Sequence, residues 1–160
     1  MRIGLFLAAA AVLAPRCAGA EAPVRVDTGQ ISGARFAVAV PPGGYARRVL
    51  LLAHGYRPDS APLVPDLHPE HASVKAALDD GWIVATTSYR RNGLIVGDAI
   101  ADLDALRKYI GLTYGEPERV VLEGESMGGL IVTIMAERES GGYDGAVVFD
   151  ATLYAKEAST

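Results

Sequence analysis

Residues 119–129 read Arg119-Val120-Val121-Leu122-Glu123-Gly124-Glu125-Ser126-Met127-Gly128-Gly129. The run from Arg119 to Leu122 is strand-like, and Met127 to Glu137 is helix-like. Between them stands Gly124-x-Ser126-x-Gly128. A chain that passes from strand to helix in so few residues must turn sharply. Gly124 and Gly128 lack Cβ atoms, so backbone can approach closely on both sides of the turn. Ser126 is then the apex residue, at the carboxyl end of a strand and the positive end of a helix dipole, where a developing anion is favoured. Two readings of Ser126 follow. It is a nucleophile held in a G-x-S-x-G elbow, or it is the N-cap of a helix that starts in a glycine-rich turn.

Working outward, strands and helices alternate. Arg48 to Ala53 is a short, nearly continuous apolar run, as expected of a strand buried on both faces. Pro69 to Leu78 predicts a short helix that stops before Gly81, and Trp82 to Thr87 is rich in β-formers. Asp98 to Tyr109 carries Ile100, Leu103, Leu106 and Ile110 at helical spacing, with Asp102, Asp104, Arg107 and Lys108 elsewhere on the wheel. Ala146 to Phe149 is a last apolar run. Upstream, Val24-Arg25-Val26 and Arg35 to Val40 predict two short strands, the second stopped by Pro41-Pro42-Gly43-Gly44. The expected fold class is α/β: a mostly parallel, doubly wound sheet with helices on both faces and right-handed crossovers.

The loop His54-Gly55-Tyr56 directly follows the first buried strand. Acyl transfer needs two N–H groups aimed at the oxyanion. Met127, the residue after the serine, offers one, and Tyr56 offers the other. Gly55 lets this loop bend close to Ser126, and His54 is expected to brace the loop by hydrogen bonds rather than to act as a base. His68, His71 and Asp66 match no established metal-binding spacing, so they are read as surface or capping residues and no metal is expected. Tyr89, Arg90, Arg91 and Asn92 follow a strand end and are expected near the mouth of a crevice. There the arginines either meet an anionic substrate group or sit in a solvated loop.

With these motifs in place, the chain resembles the α/β-hydrolase superfamily. The resemblance rests on His54-Gly55-Tyr56 after a hydrophobic strand and on Gly124-Glu125-Ser126-Met127-Gly128-Gly129 between strand and helix, and it covers about residues 33–153. The segment from Gly81-Trp82-Ile83-Val84-Ala85 to Ser88-Tyr89-Arg90 is similar to the corresponding strand and loop of secreted esterases and prolyl-oligopeptidase-like serine hydrolases. The resemblance implies attack of Ser126 on an ester or peptide carbonyl, an acyl-enzyme, and its release by water, with no metal or organic cofactor. It also implies the chain order serine, acid, histidine. His54, His68 and His71 all precede Ser126, and no histidine follows it. Asp150, at the end of the last predicted strand, is the candidate acid, or else a strand-end cap. Glu125 either touches substrate or is a solvated elbow residue.

The 160 residues are 50% apolar or aromatic and 21% charged, which excludes an intrinsically disordered chain. A net charge of −4 argues against a nucleic-acid binder, and a single cysteine, Cys17, excludes a disulfide scaffold. Arg2, the apolar run Ile3 to Ala14 and Ala18-Gly19-Ala20 predict a cleavable signal peptide over 1–20, too short to span a bilayer, which needs about twenty apolar residues. The chain is thus expected to be secreted or periplasmic, with no stable membrane insertion after cleavage. Residues 21–160 are expected to form the N-terminal part of a single hydrolase domain, incomplete at the C-terminus. The partner is a small-molecule ester or peptide substrate. The alternatives are a non-catalytic hydrolase-like binding module and a decayed gene product.

Overall fold

The computed structural model describes residues 23–138 and 142–151. The expected signal peptide lies outside them. The elements in chain order are β1 (Arg25–Ile31), β2 (Ala34–Val40), β3 (Arg48–Ala53), α1 (Ala72–Asp79), β4 (Trp82–Thr87), α2 (Val96–Tyr114), β5 (Arg119–Glu125), α3 (Met127–Ala136) and β6 (Gly145–Phe149). They build one six-stranded sheet in the order β1-β2-β4-β3-β5-β6. Strands β4, β3, β5 and β6 run parallel, and the β1–β2 hairpin adds antiparallel to β4. The mostly parallel α/β sheet read from the sequence is therefore present.

Helices cover both faces. On one face α2 and α3 supply Leu103, Leu106, Ile110, Ile131 and Met135, which pack on Val38, Val49, Leu51, Ile83 and Leu122. On the other, α1 sets Val74 and Leu78 against Ala39, Val84, Leu50 and Leu52. The covering is uneven. Strand β6 pairs with β5 on one side only among the described residues, and Val147, Val148 and Phe149 are exposed.

Several boundaries differ from the sequence reading, each for a tertiary reason. β1 runs on to Ile31 although Thr28-Gly29-Gln30 is not apolar, because its ladder to β2 is complete from Arg25↔Val40 to Ile31↔Ala34. The hairpin closes through Ser32 (φ 49°) and Gly33 (φ 92°), the doubly left-handed geometry that suits two-residue β-turns. The ring of Phe36 lies against Gly29, where a Cβ would stand 2.6 Å from it. α1 starts later than Pro69, since His68 to His71 first make a turn in which the His71 N–H donates to the His68 carbonyl at 3.1 Å. α2 runs five residues past Tyr109, to Tyr114, with Ile110 buried in the core and Tyr114 packed against it. β5 continues through Glu123-Gly124-Glu125 because it is a central strand, paired with β3 and β6 at once.

Candidate active site

The strand-to-helix turn at Ser126 forms as the glycine spacing requires. A Cβ on Gly124 would collide with the Gly128 carbonyl oxygen, and one on Gly128 with the Ala53 carbonyl oxygen. Alanine at either position is thus incompatible with the packing of α3 on the ends of β5 and β3. Ser126 itself stands at φ 54°, ψ −122°, a conformation L-residues rarely adopt, which costs on the order of 1–3 kcal/mol and must be held by the surroundings. Two hydrogen bonds help to hold it. The Ser126 N–H donates to the Phe149 carbonyl at 3.1 Å, and the Leu130 N–H donates to the Ser126 carbonyl at 3.2 Å. Ser126 occupies the N-cap position of α3, yet its side chain makes no capping bond. Helix capping thus gives no account of this serine.

The β3 loop approaches the apex. A Cβ on Gly55 would lie 3.3 Å from the Ser126 Cβ and 3.8 Å from its Oγ. Tyr56 is the next residue and is 55% exposed. Met127 is buried and opens α3, so its N–H belongs to the first-turn donors that a helix cannot satisfy internally. The two residues expected to donate to an oxyanion therefore flank the contact between Gly55 and Ser126.

His54 is turned toward its own loop and toward Tyr89. Its Nδ1 lies 2.7 Å from the Gly55 carbonyl, and its ring lies on Tyr89 with centroids 4.1 Å apart. Among the described residues its Nε2 is buried and makes no hydrogen bond of normal geometry. Burial pushes the imidazole below its usual pKa, against the opposing pull of the Gly55 carbonyl. Burial thus favours the neutral imidazole, and among the described residues no hydrogen bond joins it to Ser126.

Behind His54 stands a support that the sequence reading missed. Tyr89 is fully buried at φ 56°, not at a crevice mouth, and its hydroxyl donates to the His54 carbonyl at 3.2 Å. Asp102 is likewise buried rather than on the wet side of α2. Its carboxylate accepts from the Arg90 backbone N–H at 2.8 Å and from the Arg90 guanidinium at 2.6 and 3.0 Å. The signal was present in the spacing, because Asp102 falls between Ala99 and Leu106 on the apolar stripe of the helix. Arg91 pairs with Asp98 at 2.6 Å, and the Asn92 amide donates to the Ala61 carbonyl at 2.7 Å. Both arginines pair with carboxylates of α2, Arg90 with the buried Asp102 and Arg91, which stays exposed, with Asp98.

An open pocket of about 270 Å³ lies at the carboxyl ends of β3, β5 and β6, lined in part by His54, Arg57, Asp66, Glu123, Glu125 and Phe149. Arg57 donates to Asp66 across it at 2.7 Å. Glu123 is half-buried, and loss of water pushes its carboxyl above the usual carboxylate range. Glu125 is exposed beside the elbow. Asp150 is exposed just past β6, at φ 44°. His68 and His71 lie together on the surface before α1, their rings stacked at 4.8 Å. The structure thus brings Gly55, Ser126 and Met127 together, sets Asp150 one residue beyond the carbonyl that holds the Ser126 N–H, and places no described histidine in hydrogen-bonding contact with the serine.

Neither a protein-family profile nor a curated protein matches the sequence. Solved structures do match the fold. An esterase of Pyrococcus furiosus superposes with a TM-score of 0.59 at 18% identity, over 82% of this chain and 50% of that one. Esterase 2 of Thermogutta terrifontis, phosphoramylated by tabun, gives 0.54 at 14% identity, over 86% and 60%. The thioesterase domain from the curacin biosynthetic pathway gives 0.58 at 14% identity, over 86% and 50%. The chain spans about half the length of two of these structures and three fifths of the third. The strand order, the elbow at Ser126 and these superpositions together establish that the chain has the α/β-hydrolase fold.

Proposed function

We propose that the protein is a serine hydrolase of carboxylic esters, with peptide bonds as the related substrate class. The observation that carries this is the strained Ser126, which makes no capping bond and stands against a Cβ-less Gly55. Strain of this kind persists where the fold over-determines it, and it clusters at reactive centres. Esterases among the solved structures of the same fold support the reading.

In the proposed reaction the Ser126 hydroxyl attacks the ester carbonyl. The N–H groups of Met127 and Tyr56 take the charge that develops on the carbonyl oxygen. The alcohol leaves, and water releases the acyl group from Ser126. A hydroxyl needs a base to become a nucleophile. His54 is turned to Gly55 and Tyr89, and His68 and His71 are stacked on the surface, so the described residues supply no imidazole to Ser126. We place the base outside the described residues, with Asp150 the candidate acid among them. Without such a base Ser126 is a weak nucleophile. We also assign the chain to a secreted or periplasmic setting, on the pattern of residues 1–20.

The test is covalent labelling with a fluorophosphonate. The 160-residue chain labels slowly, and Ser126→Ala abolishes what labelling there is. A polypeptide extended through any in-frame downstream sequence that carries an acid and then a histidine labels fast at Ser126. Fast labelling of the 160-residue chain would overturn the assignment of the base. An extended protein inert to the probe would favour a binding module that uses the same crevice.

A further inference from the structure

We propose that the turn His68-Pro69-Glu70-His71 is a surface chelate for a divalent transition metal of the zinc and copper type. Its two imidazoles and one carboxylate each offer a ligand atom, and the three atoms lie within 4.8 Å of one another. Asp66, the acid that the sequence places nearest to these histidines, is not the third ligand, because it faces Arg57 at 2.7 Å. Glu70 takes that place, 3.0 Å from the His68 Nδ1.

The turn is organised before any metal arrives. The His71 N–H closes it onto the His68 carbonyl at 3.1 Å, and Pro69 restricts the backbone between them. His71 occupies the N-cap position of α1 but makes no side-chain capping bond, so its ring has no duty to the helix. The rings of His68 and His71 already stack at 4.8 Å, and no part of the sheet or core depends on them. Bound Zn²⁺ holds nitrogen and oxygen ligands at about 2.0–2.2 Å, which requires the three atoms to draw in by roughly 1 Å through rotation of exposed side chains. Two imidazoles with one carboxylate suit zinc, copper or nickel better than calcium or magnesium, which prefer all-oxygen shells. The positive end of α1 opposes a cation here, and the Glu70 carboxylate offsets it. Three protein ligands leave a coordination position for water, and the exposure of the turn leaves that position open.

Metal binding is independent of the hydrolase reading, since none of these residues touches Ser126. The experiment is a titration of the untagged chain with Zn²⁺ at neutral pH against a chromophoric chelator, followed by electron paramagnetic resonance of the Cu²⁺ form. One metal per chain is expected, with a micromolar dissociation constant, and the Cu²⁺ spectrum shows coupling to two nitrogens. His71→Ala weakens binding at least tenfold, and Glu70→Gln weakens it several-fold. The double variant H68A/H71A abolishes it while the far-ultraviolet circular dichroism is unchanged. Absence of saturable binding below about 100 μM would overturn the proposal. So would binding that survives the double variant.

Discussion

Gly128 lies against Ala53 so closely that a Cβ on the glycine would collide with the Ala53 carbonyl oxygen. The start of α3 is thereby pressed onto the end of β3, and this contact fixes where Ser126 stands relative to the Gly55 loop. The neighbouring position is more forgiving, because a Cβ on Gly55 would meet the Glu125 carbonyl and the Ser126 Cβ at 3.3 Å. The two glycines therefore differ in what they tolerate.

Gly128→Ala is expected to destabilise the fold by about 1–3 kcal/mol or more, the usual cost of forcing extra volume into packed backbone. Gly55→Ala requires only a few tenths of an ångström of movement and costs less than about 1 kcal/mol. Urea unfolding of both variants, compared with the parent, checks the order. Equal costs would mean that α3 is free to move off β3.

Asp102 carries more of the structure than its neighbour on the same helix. It is buried and serves both the backbone and the side chain of Arg90, whereas Asp98 meets only the exposed guanidinium of Arg91. Asp102→Ala is expected to lower the melting temperature at least twice as far as Asp98→Ala. It should also loosen the Tyr89–His54 contact, seen as faster hydrogen exchange across residues 54–57.

The pH dependence of stability has two parts of opposite sign. The folded state holds His54 below its ordinary value of 6.5 through burial. In that range the unfolded chain binds more protons, so this contribution is complete above about pH 6.5 and is lost as the pH falls towards the folded value. Melting temperature should drop between pH 7 and pH 5, and His54→Asn should flatten that drop. Glu123 acts in the other direction, since burial raises it above 4.5. Its charge opposes folding at neutral pH, so Glu123→Gln should raise the melting temperature at pH 7, with the gain gone below about pH 4.5.

The β6 edge is expected to govern solubility. Val147 is 43% and Phe149 53% exposed, and among the described residues the far edge of β6 has no partner strand. Edges of this kind template association, and a lysine blunts them. Val147→Lys should shift the 160-residue chain from self-associated species towards monomer in light scattering. No shift would mean that this edge is not where chains meet.

The parts of the site that depend on local backbone geometry were legible early. The G-x-S-x-G turn between a strand and a helix needs its glycines for local reasons, and the loop after β3 follows from the apolar run before it. Asp102 and Tyr89 were misplaced because their burial depends on partners far along the chain. Tyr89 reaches His54, and Asp102 reaches Arg90, through contacts that no periodicity encodes.

The amino-acid sequence by itself determined the α/β class, the alternation of elements and the apex position of Ser126, because apolar period and glycine placement act within a few residues. Tertiary structure alone decided that β1 extends through a polar stretch, since a hydrogen-bonded ladder to β2 outweighs apolar content at an edge. It also decided that Glu70 rather than Asp66 joins the two surface histidines, because Arg57 had already claimed Asp66. And it decided that His54 faces Gly55 and Tyr89, an arrangement set by the packing of β3 and the loop after β4 around the buried Tyr89 ring.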